Sequence, residues 1–143
     1  MDHLVYVDVE ARELERLLWG DKSMIVRGAA GRKIPYGRVN TGDMLYLIRN
    51  NADGMIKARA RVRGIYNSER MTREESVDLI LRHQHKLQLT TGQLKRWAGK
   101  RYLVLIEVGD VQKLEPFFID RCMWKEIADW LPVGDINGLK MAM

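Results

Sequence analysis

Between residues 56 and 66 the chain reads IKARARVRGIY, and apolar and basic positions alternate through it. Ile56, Ala58, Ala60 and Val62 belong to one face of a strand and Lys57, Arg59, Arg61 and Arg63 to the other, because successive strand side chains point to opposite sides. Cations about 6.6 Å apart along one face repel, so water, acids or a bound anion must offset them. Further strands are expected at 3–9 (HLVYVDV), 23–27, 44–50 and, as a continuous apolar run, 101–111 (RYLVLIEVGDV). Asp53-Gly54 is a hairpin-turn signal before the alternating strand.

Helical spacing appears three times. In EARELERLLWG (residues 10–20), Ala11, Leu14, Leu17 and Leu18 share a face, and Gly20 is placed to end the helix in a left-handed cap. In MTREESVDLILRHQHKL (71–87), Thr72 and Glu75 form a capping-box pair, with Val77, Ile80, Leu81 and Leu87 as the expected buried stripe. A shorter helix is expected in TTGQLKRWAG (90–99). Residues 28–42 read as a loop punctuated by four glycines and a proline, and the end of the chain as a helical turn with a loose tail. The sum is an α+β domain of about five or six strands and three helices, whose strands can curl into a small barrel.

Composition narrows the setting. At 143 residues the chain has the length of one domain and can bury a core without staples. Cys122 is its single cysteine, which excludes an intrachain disulfide or a cysteine zinc site and fits a cytoplasmic compartment. No apolar run approaches the roughly 18 residues of a membrane span, and the acidic start lacks the cations of an export signal. Neither a membrane nor a cofactor is expected.

Net charge is +5, but residues 22–63 alone hold ten bases against Asp43 and Asp53, a local +8 that leaves the remainder at −3. Such asymmetry makes a positive field suited to polyanions.

Most local motifs fail on spacing. The stretch GDKSMIVRGAAGRK (20–33) lacks the order of a phosphate-binding P-loop, and its four-residue Gly28–Gly31 match to a KH loop follows a strand-like run rather than a helix. His83 and His85, two apart on a helix, share no face, so no metal site is expected. Trp19, Trp97, Trp124 and Trp130 are core candidates. Tyr36, between Lys33 and Arg38 in the Gly/Pro loop, either stacks on a base or folds over the core.

Gly20-x-Lys22 followed by Arg27, directly after an amphipathic helix and ahead of a Gly42-Asp43 turn and an apolar strand, resembles the ASCH family. The likeness in order of elements extends over roughly residues 3–111. It implies a PUA-like β-barrel and a cleft lined by the motif's lysine and arginine; the domain is expected to span residues 1–136, with 137–143 as a flexible tail, although the last thirty or so residues have no counterpart in the family. It also implies RNA binding or, in one bacterial group, hydrolysis of an acetylated nucleoside by a lysine, a threonine and a glutamate. Lys22, Arg27, Gly20, Gly42 and Asp43 match the motif; Ile25 stands where the family carries a glutamate or threonine, and no acid occurs at 86–93. Amide hydrolysis needs a nucleophile and an oxyanion partner. Without that hydroxyl the expectation shifts to binding of RNA or a nucleotide. Lys22, Arg27, Arg32, Lys33 and Arg38 would grip phosphates, Tyr36 would offer a stacking surface, and Lys57, Arg59 and Arg61 would extend the basic track. The alternative is a small hydrolase of a modified nucleoside or nucleotide with Lys22 as base. Because neighbouring strand residues face opposite ways, Lys22 can join Arg27 only if it precedes the strand or sits at a bulge.

Overall fold

Period-two patterning is realised most fully in β4 (Met55–Asn67), where Ile56, Ala58, Ala60 and Val62 are buried and the four cations between them lie on the outer face. Those cations are offset from within the protein. Arg63 is paired with Asp110, the Arg59 guanidinium donates to Gln112 Oε1 at 3.0 and 3.1 Å, and Arg61 donates to the Gly42 carbonyl at 3.1 Å. The computed structural model from which this is read describes residues 1–49, 54–119 and 129–140. Asp53, Cys122 and Trp124 therefore lie outside the described residues, as do 141–143.

Around β4 the chain builds one six-stranded sheet in the order β2-β5-β4-β3-β1-β6. Its other members are β1 (Asp2–Val7), β2 (Met24–Ala29), β3 (Met44–Arg49), β5 (Tyr102–Phe118) and β6 (Trp130–Gly134). The β1–β3 pair is parallel and the other four pairs are antiparallel. Irregular registers in the β3–β4, β4–β5 and β1–β6 pairs bend the sheet into a half-barrel, since an extra residue on one strand raises local twist. The inner core holds Val5, Ile25, Leu45, Leu47, Ala58, Ala60 and Ile106, plugged by Leu14 and Leu17 of α1 (Glu13–Trp19). Gly20 ends α1 at φ +86°, its N–H bonded to the Leu17 carbonyl at 3.3 Å.

Outside the sheet, α2 (Arg73–Arg82), the single turn α3 (Gln84–Leu87) and α4 (Thr91–Trp97) cover Met24, Val26, Leu103 and Leu105. Thr72 and Glu75 form the expected capping box. Two expectations for this helix fail. It breaks at His83, whose Nδ1 lies 2.9 Å from the Leu79 carbonyl oxygen, and its buried face is Ser76, Leu79 and Ile80, with Leu81 exposed. The break lets the chain turn back under β2, where Leu87 is fully buried.

Beyond the expected 101–111 strand, β5 runs on to Phe118, because its second half keeps pairing along the long β4. At the C-terminal end, where a helical turn and a loose tail are expected, β6 pairs antiparallel with β1 and a 3-10 turn at Ile136–Gly138 follows, while 120–128 and 141–143 lie outside the described residues. Ile136 and Leu139 are buried against Leu4, Ile48 and Ile56, and Lys140 bridges to Ile119. Among the described residues, no helix is long and apolar enough to cross a membrane.

Gly28 is needed for close approach. A Cβ there would stand 2.7 Å from Leu103 Cδ2 and 3.1 Å from both Lys100 Cβ and the Tyr102 carbonyl oxygen. Gly28→Ala should therefore destabilise the fold by about 1–3 kcal/mol through overpacking, read as a lower denaturant midpoint at unchanged slope.

Candidate binding cleft at the sheet seam

The two end strands of the sheet, β2 and β6, approach each other without pairing among the described residues, and Arg27 spans the gap. Its Nη2 donates to the Tyr6 carbonyl of β1 at 2.6 Å and its Nη1 to the Val26 carbonyl at 2.7 Å. The guanidinium also lies 5.5 Å from the ring centre of Trp97 and 5.8 Å from that of Trp130, within cation–π range of both. Arg27 is 7% exposed, and its Nε is a buried donor without a partner among the described residues. Burial lowers its pKa, against the pull of Glu13 and Asp129.

Over this seam opens a cleft of about 830 Å³. Its floor and sides come from Arg27, Trp97, Trp130 and Tyr102, and its rim from Arg32, Lys33 and Tyr36 of the 28–42 loop. The Tyr36 ring packs edge-on to Tyr102, centroids 5.8 Å apart, and its hydroxyl donates to the Ser68 carbonyl at 2.5 Å. Arg32 lies over both rings, at 5.5 and 5.6 Å. The tyrosine thus folds onto the barrel and still forms part of the cleft wall. Arg96, paired with Asp129, closes one side. A narrower recess of about 20 Å³ shares Arg27, Arg96, Trp97 and Asp129 with the cleft and continues to Asp8, Glu13 and Gln93.

Lys22 lies elsewhere. It precedes β2 and is 2% exposed, lining neither the cleft nor the recess. Its Nζ donates to the Leu87 carbonyl and stands 3.3 Å from Glu13 Oε2. Glu13 in turn accepts from the Asp8 N–H at 3.2 Å and from Gln93 Nε2 at 3.4 Å. Glu13 is thus ion-paired with Lys22 and attracts Arg27 at longer range. For Glu13, burial pushes the pKa up, but Lys22, Arg27 and the Asp8 N–H outweigh it and hold it below the ordinary value. For Lys22, burial, helped by Arg27 and Arg16, outweighs the attraction of Glu13, and the amine is pushed down.

The expected residues thus fall in four places. Arg27, Arg32, Lys33 and Tyr36 meet at the cleft; Lys22 is enclosed behind the sheet; Lys57, Arg59 and Arg61 occupy the outer face of β4, apart from the cleft lining. Arg38 is exposed on the neighbouring turn, outside that lining. Ile25 is fully buried in the inner core. Trp19, expected in the core, is 60% exposed with Arg12 stacked at 5.1 Å.

Sequence reasoning missed Glu13, Gln93, Arg96 and Asp129. For the first two a signal exists: Glu13 is four residues before Leu17, and Gln93 four before Trp97, so each polar residue sits on an apolar helix face. Among the described residues, no group of three or more histidine, cysteine or carboxylate side chains is placed to hold a metal ion.

No protein-family model matches the chain, and no curated protein sequence matches it at a significant level. Solved structures do match. The ASCH protein of Zymomonas mobilis superposes with a TM-score of 0.69 at 14% identity, covering 96% of this chain and 91% of that one. A tyrosine-to-phenylalanine variant of the same protein gives 0.70 at 13% identity, over 96% and 93%. Such identity speaks for the backbone arrangement alone. The six-stranded half-barrel with its flanking helices is therefore an ASCH-type, PUA-like fold.

Proposed function

We propose that this ASCH-type domain binds single-stranded RNA or a free nucleotide, with one base in the seam cleft and its phosphate at the rim. The observation that carries this reading is the division of labour in the cleft. Aromatic rings and the Arg27 guanidinium form the interior, and the exposed Arg32 and Lys33 stand at the mouth. Unpaired bases are recognised by stacking on aromatic and guanidinium planes while cations hold the backbone. A space of about 830 Å³ lies within the usual range for small-ligand clefts and admits one nucleotide, not a duplex.

Geometry speaks against hydrolysis at Lys22. Its amine is already bonded to a carbonyl and a carboxylate, and position 25 offers a buried hydrocarbon in place of a hydroxyl. Ser23 supplies no substitute: its N–H is bonded to the Lys86 carbonyl and it lines neither the cleft nor the recess.

Titration with a short single-stranded RNA tests the proposal. With two rim cations gripping phosphates, the log–log salt slope is expected near −1.4; five phosphate contacts would give about −3.5. The double variant Arg32→Ala/Lys33→Ala should flatten the slope and weaken binding about tenfold or more. A duplex of the same sequence that bound equally well, or binding indifferent to salt, would overturn the reading.

A further inference from the structure

The Gly42-Asp43 turn, on the far side of β1 from the cleft, is wired to a cleft wall. Trp130 is 2% exposed, and its Nε1–H donates to His3 Nδ1 at 3.1 Å. His3, fully buried on β1, lies with Nε2 2.8 Å from Asp43 Oδ2, and Asp43 also accepts from the Asn40 N–H at 2.9 Å. An indole nitrogen only donates, so Nδ1 must be the accepting nitrogen. The single ring proton of neutral His3 then sits on Nε2, directed to Asp43. Both donors and both acceptors of these two bonds are satisfied in one neutral tautomer and not in the other.

We propose that Asp43 and His3 are positioning residues for Trp130, and that protonation of His3 loosens this wall and releases the cleft's ligand on acidification. The proposal rests on the reading of the cleft as a nucleotide site. A second proton, on Nδ1, would place two donors face to face across 3.1 Å, and a buried indole N–H would lose its acceptor. Trp130 would have to shift, and it both lines the cleft and stacks on Arg27.

Among the described residues, the charges around these groups come from several elements. Asp43 faces His3 from the turn before β3, and the amino group of Met1 lies 3.7 Å from its other oxygen. Arg27 of β2 lies across the indole ring, and Asp129 adjoins Trp130 in the chain. Asp43 is a steady anion: burial raises its pKa, yet the His3 bond, the Asn40 N–H and the Met1 amine together hold it below the ordinary value.

The test uses a uridine dinucleotide, whose phosphodiester and bases keep their charge from about pH 8 to about pH 5. Wild-type affinity should fall about tenfold over that range. His3→Gln should hold the high-pH affinity throughout, because its carboxamide oxygen can accept from Trp130 and its NH2 can donate to Asp43 without titrating. Variants of the other two histidines, His83→Gln and His85→Gln, should keep the wild-type decline. In parallel, the Trp130 indole N–H resonance, assigned by Trp130→Phe, should move over the same range in the free protein. An immobile resonance, or a His3→Gln variant that declines in step with wild type, would overturn the positioning role. Should the dinucleotide bind at no pH, the nucleotide reading falls, and the resonance alone decides whether His3 governs the wall.

Discussion

Replacing Glu13 with glutamine is expected to cost about 3–5 kcal/mol, because it strands the buried Lys22 and removes one of the carboxylates that attract Arg27. Lys22 and Arg27 are 2% and 7% exposed, and Glu13 attracts both, while Asp129 and Asp8 also attract Arg27. In a domain of this size the loss corresponds to a melting temperature lower by about 10–15 °C. Lys22→Met should cost far less, about 1–2 kcal/mol, since Glu13 keeps Arg27 and the hydrocarbon stem is replaced. The contrast between the two variants, measured by thermal and denaturant unfolding, is the informative quantity. Equal losses would mean that Glu13 acts through Lys22 alone and that its longer-range attraction for Arg27 adds nothing. Acid should mimic the Glu13 substitution. A carboxylate whose folded-state pKa is depressed stabilises the protein above its unfolded value, 4.5 for this residue, and that stabilisation drains away as pH falls through the lower folded value.

Arg27→Lys carries the second large effect, although it preserves charge. The guanidinium reaches two carbonyls, one on its own strand and one on β1, and stacks beside two indoles. A lysine offers a point charge on a flexible stem and cannot reproduce that fork. Loss of the bond across the seam and of both ring contacts should destabilise the fold by about 2–4 kcal/mol. Because the seam is also the cleft floor, affinity for a short single-stranded RNA should fall about 10–100-fold at a temperature where the variant remains folded. A stable variant with unchanged affinity would show that the cleft does not depend on its floor.

How much of this was legible in the chain varies with distance along it. The alternating strand at 56–66, the Thr72 capping box and the Gly20 stop were readable because each is settled by neighbours within a few residues. The position of Lys22 ahead of β2 met the parity condition that the sequence imposed on it, yet its burial did not follow from the motif. That burial depends on Leu87 and Glu13, one of them 65 residues away. The β6 return was hidden because Pro132 and Gly134 punctuate a five-residue strand whose partner lies at the other end of the sequence. Trp19 follows α1's buried Leu14 and Leu17, but the helix ends there and its ring is left beside Arg12. Composition pointed to a basic surface without telling which cations cluster. The fold separates the β4 cations, engaged with their own neighbours, from the pair at the cleft mouth.

The pairing of β1 with β6 has a consequence for the order in which the protein is made. His3 and Trp130 are 127 residues apart, the longest separation among the cleft's supporting bonds. Contacts of such span close late, since the intervening chain must be ordered before they repay their entropy. Vectorial synthesis brings β6 out last of the six strands, so for an interval β1 to β5 are exposed without it. During that interval the nascent domain has Arg27 and the rim loop but lacks the Trp130 wall. The cleft is therefore completed only when β6 has paired with β1.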